Sequence, residues 1–325
     1  MYFCFNHDSS IKYNIVIDTS LYKQYIAIVI VLFIILTSSL TSLNNTVSLA
    51  EGQQQQSANN DNTNNVTELS KLNVKNSSIT LENKTVNYFE NTDGYLVYPI
   101  STTTTLPSVE SNKSTNNNNN TFPAVIMIHE WWGLNENIKN MAETLAKKGY
   151  VVLAVDLYNG QVANTTESAQ NLVSKVRENP SESINNLQHA VRYLASLENV
   201  NSSKIASLGW CFGGGQSLQL ALNTEPEYPL AATIIYYGNL VSDQESLSKI
   251  KWPVLGIFGD QDKSIPVDSV KQFEDALNAN GITNEIYIYK GVGHAFANPS
   301  GDNYAPQETQ DAWQKTVSFL EKYLK

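Results

Sequence analysis

The sequence predicts an α/β fold, a mainly parallel central sheet with helices on both faces. Short continuous apolar runs, such as Pro123–Ile128 and Tyr150–Val155, have the character of strands buried on both sides. Stretches with helical spacing follow them, and strands alternating with helices build parallel sheets. Between one such run and a helical stretch lies Gly209-Trp-Cys-Phe-Gly213. This Gly-x-Cys-x-Gly pattern marks a sharp strand-to-helix turn that exposes a potential nucleophile above the sheet edge.

The elements follow in order. Lys12 and Lys23 precede the apolar run Tyr25–Leu36, which fades through Thr37 to Leu43, and Val47-Ser-Leu-Ala50 offers small residues before Glu51. Residues 1–50 are therefore expected to be a signal peptide, with an uncleaved membrane tether over residues 25–43 as the alternative. Either implies an exported protein, extracellular or at the cell surface. Residues 51–80 are rich in Gln, Asn and Ser and too poor in apolar side chains to offset ordering entropy, so they read as a disordered linker. The α/β domain is expected over residues 81–325, with a low-complexity Thr/Asn insertion at about 101–121.

Within the domain, Thr85–Ile100 reads as a strand pair around the turn signal Asn91-Thr-Asp-Gly94. Pro123–His129 is the first central strand. Ile138, Met141 and Leu145 give Asn135–Lys148 a helical period that stops at Gly149. Tyr150–Val155 is the next strand, with helices at about Glu167–Arg177 and Ser181–Leu197. The strand, turn and helix around Cys211 end at Leu222. Leu230–Tyr236 and Pro253–Phe258 are further strands. Val267–Asn280 is a helix closed by Gly281, Glu285–Tyr289 a strand, and Gln307–Leu324 an amphipathic helix.

In such sheets ligands bind beyond the carboxyl ends of the strands. Glu130, Cys211, Asp262 and His294 each fall directly after a predicted strand, so they are expected to share one edge. The order nucleophile, acid, histidine is that of the α/β-hydrolase fold. A free thiol is only a few per cent ionised at neutral pH, so Cys211 needs a base, and His294 sits in a Gly-flanked loop able to reach it. An acidic residue would fix the imidazole tautomer. Asp260 and Asp262 both qualify; Asp262 is preferred because one more loop residue lets its carboxylate turn back. His7 lies in the leader and His189 in a helical pattern. His129 ends a strand and reads as structural or supporting. The backbone N–H groups of Phe212 and Trp131 are the expected oxyanion donors. Glu130 is expected beside the thiol, where it would hold or receive a proton. Trp131, Trp132, Trp210, Phe212 and Phe296 suggest an aromatic pocket, some of it ordinary core.

Composition narrows the partners. Twenty-one Lys and Arg against 31 Asp and Glu give a net charge of −10, which disfavours nucleic acid. No paired cysteines, His-Glu-x-x-His or dense carboxylate loop suggests a metal, and Gly213-Gly-Gly215 lacks the Lys-Ser/Thr of a phosphate loop. No cofactor is expected. Of the two cysteines, Cys4 precedes the apolar run, so removal of the leader would leave Cys211 without an intramolecular partner. A lone thiol outside the cell invites a chemical use.

His129-Glu-Trp-Trp-Gly-Leu-Asn135, Asp156-Leu-Tyr158, Gly209-Trp-Cys-Phe-Gly-Gly214, Gly259-Asp-Gln-Asp262 and Gly293-His-Ala-Phe296 run in one order over about Val86–Leu324. In these segments the chain resembles the dienelactone hydrolase family. The resemblance implies a Cys211-Asp262-His294 triad, favours Asp262 over Asp260, and implies that Glu130 contacts the resting thiol. Dienelactone-cleaving members bind a substrate carboxylate with an arginine shortly after the Asp-Leu-Tyr segment and another after His-x-Phe. Here those stretches read Asn159-Gly-Gln-Val-Ala-Asn164 and Ala297-Asn-Pro299, without arginine. The expected activity is therefore hydrolysis of small neutral esters or lactones. Acyl transfer or hydrolysis of surface or polymer esters at the same site, and a non-catalytic binding role, are the alternatives. The oligomeric state is left open.

Overall fold

The computed structural model describes residues 79–100 and 121–325. The expected leader, most of the linker and the Thr/Asn insertion lie outside these residues. Among the described residues no helix is long and apolar enough to cross a membrane.

One eight-stranded sheet organises the chain, in the order β1-β2-β4-β3-β5-β6-β7-β8. The strands are β1 (Thr80–Phe89), β2 (Thr92–Ile100), β3 (Phe122–Ile128), β4 (Val151–Val155), β5 (Val200–Trp210), β6 (Ala232–Tyr236), β7 (Val254–Gly259) and β8 (Asn284–Tyr289). From β4 across to β8 every neighbouring pair is parallel. The hairpin β1–β2 is antiparallel and docks antiparallel on β4, so the sheet is mixed at that end. The hairpin starts at Thr80, before the expected Thr85, because the mostly exposed Thr80–Thr85 stretch pairs with Tyr95–Ile100 without contributing much core.

Helices cover both faces: α1 (Glu136–Ala146), α2 (Thr166–Glu178), α3 (Pro180–Ala195), α4 (Phe212–Leu222), the short α5 (Gln244–Leu247), α6 (Val267–Ala279) and α7 (Pro306–Leu324). Alternate residues along a strand point to opposite faces. Ile126 and Ile128 of β3 therefore pack with Leu187, Leu194, Leu218 and Phe273 from α3, α4 and α6. Val125 and Met127 pack on the other face with Ile138, Leu145, Phe319 and Leu320 from α1 and α7. β3, β4, β6 and β7 lie inside the sheet with apolar cover on both sides, which explains their uninterrupted apolar sequences. β8, at the edge, is only half-buried along its length.

Helix starts are specified locally. The Asn135 side chain accepts from Ile138 N–H at 3.2 Å and caps α1. Thr165 and Ser168 cap α2 reciprocally, each side chain bonded to the other's backbone N–H. These caps fix where the chain leaves the carboxyl edge of the sheet.

Candidate active site

Four strands deliver the functional side chains to that edge: β3 leads to Glu130, β5 to Cys211, β7 to Asp262 and β8 to His294. The turn at Cys211 is the most constrained. Its backbone sits at φ 54° and ψ −117°, and it immediately precedes α4. For a residue with a side chain such a conformation costs roughly 1–3 kcal/mol, so the surroundings must impose it. The Cys211 N–H donates to Tyr236 O at 3.0 Å, and Gly215 N–H returns to Cys211 O at 3.2 Å. Close backbone crossings complete the clamp. A Cβ on Gly209 would stand 2.1 Å from Gly213 O, and one on Gly213 would stand 2.4 Å from Ile128 O. Only glycine allows strand and helix to meet this tightly, which is why the pattern was visible in the sequence.

The reactive groups form a hydrogen-bonded series. His294 Nε2 lies 3.1 Å from Cys211 Sγ, and His294 Nδ1 lies 2.7 Å from Asp262 Oδ2. The other Asp262 oxygen accepts from the N–H groups of Ser264 (2.8 Å) and Ile265 (3.0 Å). This carboxylate is buried and fixed on both sides. Asp260 points elsewhere, accepting from Gly291 N–H at 2.7 Å. Of the two aspartates it is therefore Asp262 that meets the histidine. Burial pulls the His294 imidazole down, but its bonds to Asp262 and Cys211 and their charges outweigh that and raise it to about 10. Asp262 and the sulfur together thus favour a proton on this ring. The buried Tyr237 ring meets the imidazole edge-on, with centroids 5.3 Å apart, and limits its tilt.

Glu130 and the thiol have separate hydrogen-bond partners. The thiol's hydrogen bond is to His294, whereas the Glu130 carboxylate accepts from Asn298 Nδ2 at 2.5 Å. Asn298 is itself buried, and its own oxygen accepts from Ser300 N–H at 2.9 Å, so it offers Glu130 a fixed donor. Burial pushes the Glu130 carboxyl up to about 7, with the His294 charge and the Asn298 bond acting against the rise. The sequence showed Asn298 only as a position lacking arginine. Its bond to Glu130 joins residues 168 apart in the chain, which no local pattern reveals.

The aromatic residues divide. Trp210 is buried against Tyr236, and Phe296 against Tyr237 and Tyr289, as core. Trp131, Trp132 and Phe212 are half-buried around Tyr158 at the mouth of the site. Phe212 is the first residue of α4, so its N–H has no partner within the helix and shares the helix's positive end. The Trp131 N–H likewise has no protein acceptor among the described residues. Outside this cluster, His189 packs against Phe89 with centroids 4.8 Å apart, its Nδ1 at Asn185 O. No group of His, Cys, Asp or Glu suited to a metal ion occurs among the described residues.

Residues 112–324 match the family model described as "Dienelactone hydrolase family". A protein of Saccharolobus solfataricus named "Putative carboxymethylenebutenolidase" is 33% identical over 238 residues, covering 62% of this chain and 90% of the relative. "Protein usf" of Aquifex pyrophilus is 32% identical over 209 residues, covering 62% and 89%. Among solved structures, one described as "Putative Dienelactone Hydrolase from Klebsiella pneumoniae" superposes with a TM-score of 0.62 at 26% identity. It covers 75% of this chain and 99% of its own.

Proposed function

Because the chain belongs to the dienelactone hydrolase family, we propose that it cleaves small neutral esters or lactones with Cys211 as nucleophile, His294 as proton carrier and Asp262 as the residue orienting His294. The observation that carries this reading is the 3.1 Å contact between His294 Nε2 and Cys211 Sγ, continued by the 2.7 Å bond to Asp262. His294 Nε2 takes the Cys211 proton, the thiolate attacks the carbonyl carbon, and the carbonyl π electrons move to oxygen. The N–H groups of Phe212 and Trp131 receive that oxyanion. Collapse expels the alkoxide, which takes the proton from His294 Nε2 and leaves an acyl thioester on Cys211. Water then gives a proton back to His294 as its oxygen attacks the thioester, and the acid departs with the thiolate restored. In a lactone the alcohol stays tethered to the acyl group, and the chemistry is otherwise the same.

Neutral substrates fit the charge around the thiol. Asp262 and Glu130 are acidic, and neither Asn159–Asn164 nor Ala297–Pro299 supplies an arginine. The Asn298 amide is already committed to Glu130. The relatives' names point to a lactone; here no arginine stands in those stretches to receive a carboxylate, so uncharged lactones are the better match.

The test is turnover of a short activated ester and a neutral lactone by the wild-type protein and by Cys211→Ala. Activity in the wild type that the variant loses, with folding intact, is the expected result. A Cys211→Ala protein that keeps full turnover refutes the assignment.

A further inference from the structure

We propose that His129, which the chemistry above does not use, is a positioning residue that sets the direction of the Trp131 N–H and so preforms the oxyanion site. This rests on the reading of Trp131 N–H as an oxyanion donor.

His129 is wholly buried at the end of β3. Leu157 N–H donates to its Nε2 at 3.1 Å. That nitrogen must therefore carry a lone pair, which makes the ring neutral and places its proton on Nδ1. Burial favours the same neutral form by holding the ring's basicity below the usual range. Asp156 Oδ1, at 3.9 Å from Nε2, is too far for a hydrogen bond. Nδ1 lies 2.5 Å from Glu130 O, so the ring donates to that carbonyl. Gly133 N–H donates to the same oxygen at 3.3 Å.

The consequence follows from peptide geometry. The peptide joining Glu130 and Trp131 is trans, and in a planar trans peptide C=O and N–H point in opposite directions. Holding Glu130 C=O against His129 therefore turns Trp131 N–H the other way, where it has no protein acceptor among the described residues. The ring cannot rotate away. It packs on Tyr158 at 4.6 Å and stacks on Phe212, bearer of the other donor, at 5.9 Å and 25°. The Leu157 N–H that meets its Nε2 is fixed from both sides, since the preceding Asp156 carboxylate accepts from Tyr158 N–H at 2.8 Å and from Gly160 N–H. Released from His129, Glu130 C=O is held only by the longer bond from Gly133 N–H at 3.3 Å, and the peptide can flip to present that carbonyl to the developing oxyanion. A donor is then replaced by an acceptor.

Two variants separate this role from a merely structural one. His129→Phe keeps the stacking and loses both hydrogen bonds. His129→Gln keeps one donor for Glu130 O and one acceptor for Leu157 N–H. With a short activated ester, His129→Phe should lose roughly 10- to 100-fold in kcat, below the loss seen on deleting an oxyanion donor outright, with little change in KM. Its rate of Cys211 alkylation by iodoacetamide should stay at the wild-type value, because that displacement builds no oxyanion and depends on His294. His129→Gln should recover most of kcat. If His129→Phe does not fold, His129→Asn, too short to reach both partners, takes its place. The proposal is overturned by wild-type kcat in the Phe or Asn variant, by kcat and alkylation falling in parallel, or by a folded Gln variant no better than Phe. A wild-type protein with no turnover, or a fully active Cys211→Ala, sinks instead the ester-cleaving reading on which the proposal stands.

Discussion

Replacing Glu130 by Gln should stabilise the fold at alkaline pH relative to acid, by an amount set by its burial. In the native state the carboxyl is pushed up to about 7 from a reference value of 4.5. In the unfolded chain it returns to that reference. The native state therefore binds this proton more tightly, unfolding releases it between about pH 4.5 and 7, and native stability falls as pH rises through that window. The difference, 7 − 4.5, corresponds to about 3 kcal/mol at 1.36 kcal/mol per unit, fully expressed above pH 7 and nearly absent at pH 4. Gln cannot ionise, so it removes this pH-dependent loss. Its amide also brings a constant penalty of roughly 1–3 kcal/mol if the new N–H₂ finds no acceptor. That constant cancels when the variant's effect at pH 4 is subtracted from its effect at pH 8. The assay is urea unfolding of both proteins at the two pH values, compared by midpoint and slope. The expected double difference is about 3 kcal/mol in favour of Gln at pH 8. A double difference near zero would show that Glu130 titrates like a solvated carboxyl, and the electrostatic account of this site would be wrong.

Two further predictions concern neighbouring residues. Asp262→Asn removes the partner that holds His294 in its tautomer and should lower kcat by roughly 100-fold or more. Asp260→Asn, which affects only contacts to Gly291 N–H and Gln261 Nε2, should leave kcat near wild type, and equal losses in the two variants would contradict the assignment. Gly213→Ala forces a Cβ to within 2.4 Å of Ile128 O and 2.5 Å of His129 O. It should destabilise the fold by roughly 1–3 kcal/mol or more and lower kcat by shifting the start of α4, and an unchanged urea midpoint would refute the tight-crossing argument.

How far the sequence reveals all this depends on whether the signal is local. The parallel centre of the sheet was legible because β3, β4, β6 and β7 are covered on both faces and so cannot alternate with polar residues. The turn at Cys211 was legible because its glycines answer backbone clashes within a few residues. The docking of β1–β2 antiparallel on β4 was not, since the hairpin's pattern says how it folds but not where it lands. Asp260 and Asp262 look alike after β7; one more loop residue and the resemblance favoured Asp262, and the path of the loop brings it to His294. The Glu130–Asn298 bond and the sorting of Trp210 and Phe296 into the core, apart from Trp131 and Phe212, depend on residues brought together from distant segments. The hydrogen bonds of His129 had no signature beyond a histidine ending a strand.

The contacts at this edge join residues far apart in the chain: 83 positions separate Cys211 from His294, and 168 separate Glu130 from Asn298. Both His294 and Asn298 follow β8, an edge strand and the last strand along the chain among the described residues. Until β8 docks, the thiol has no imidazole beside it and reacts as an ordinary cysteine would. On the proposed reading, Cys211 gains its base only once the segment after β8 is in place, so a chain that lacks that segment carries a cysteine without its histidine.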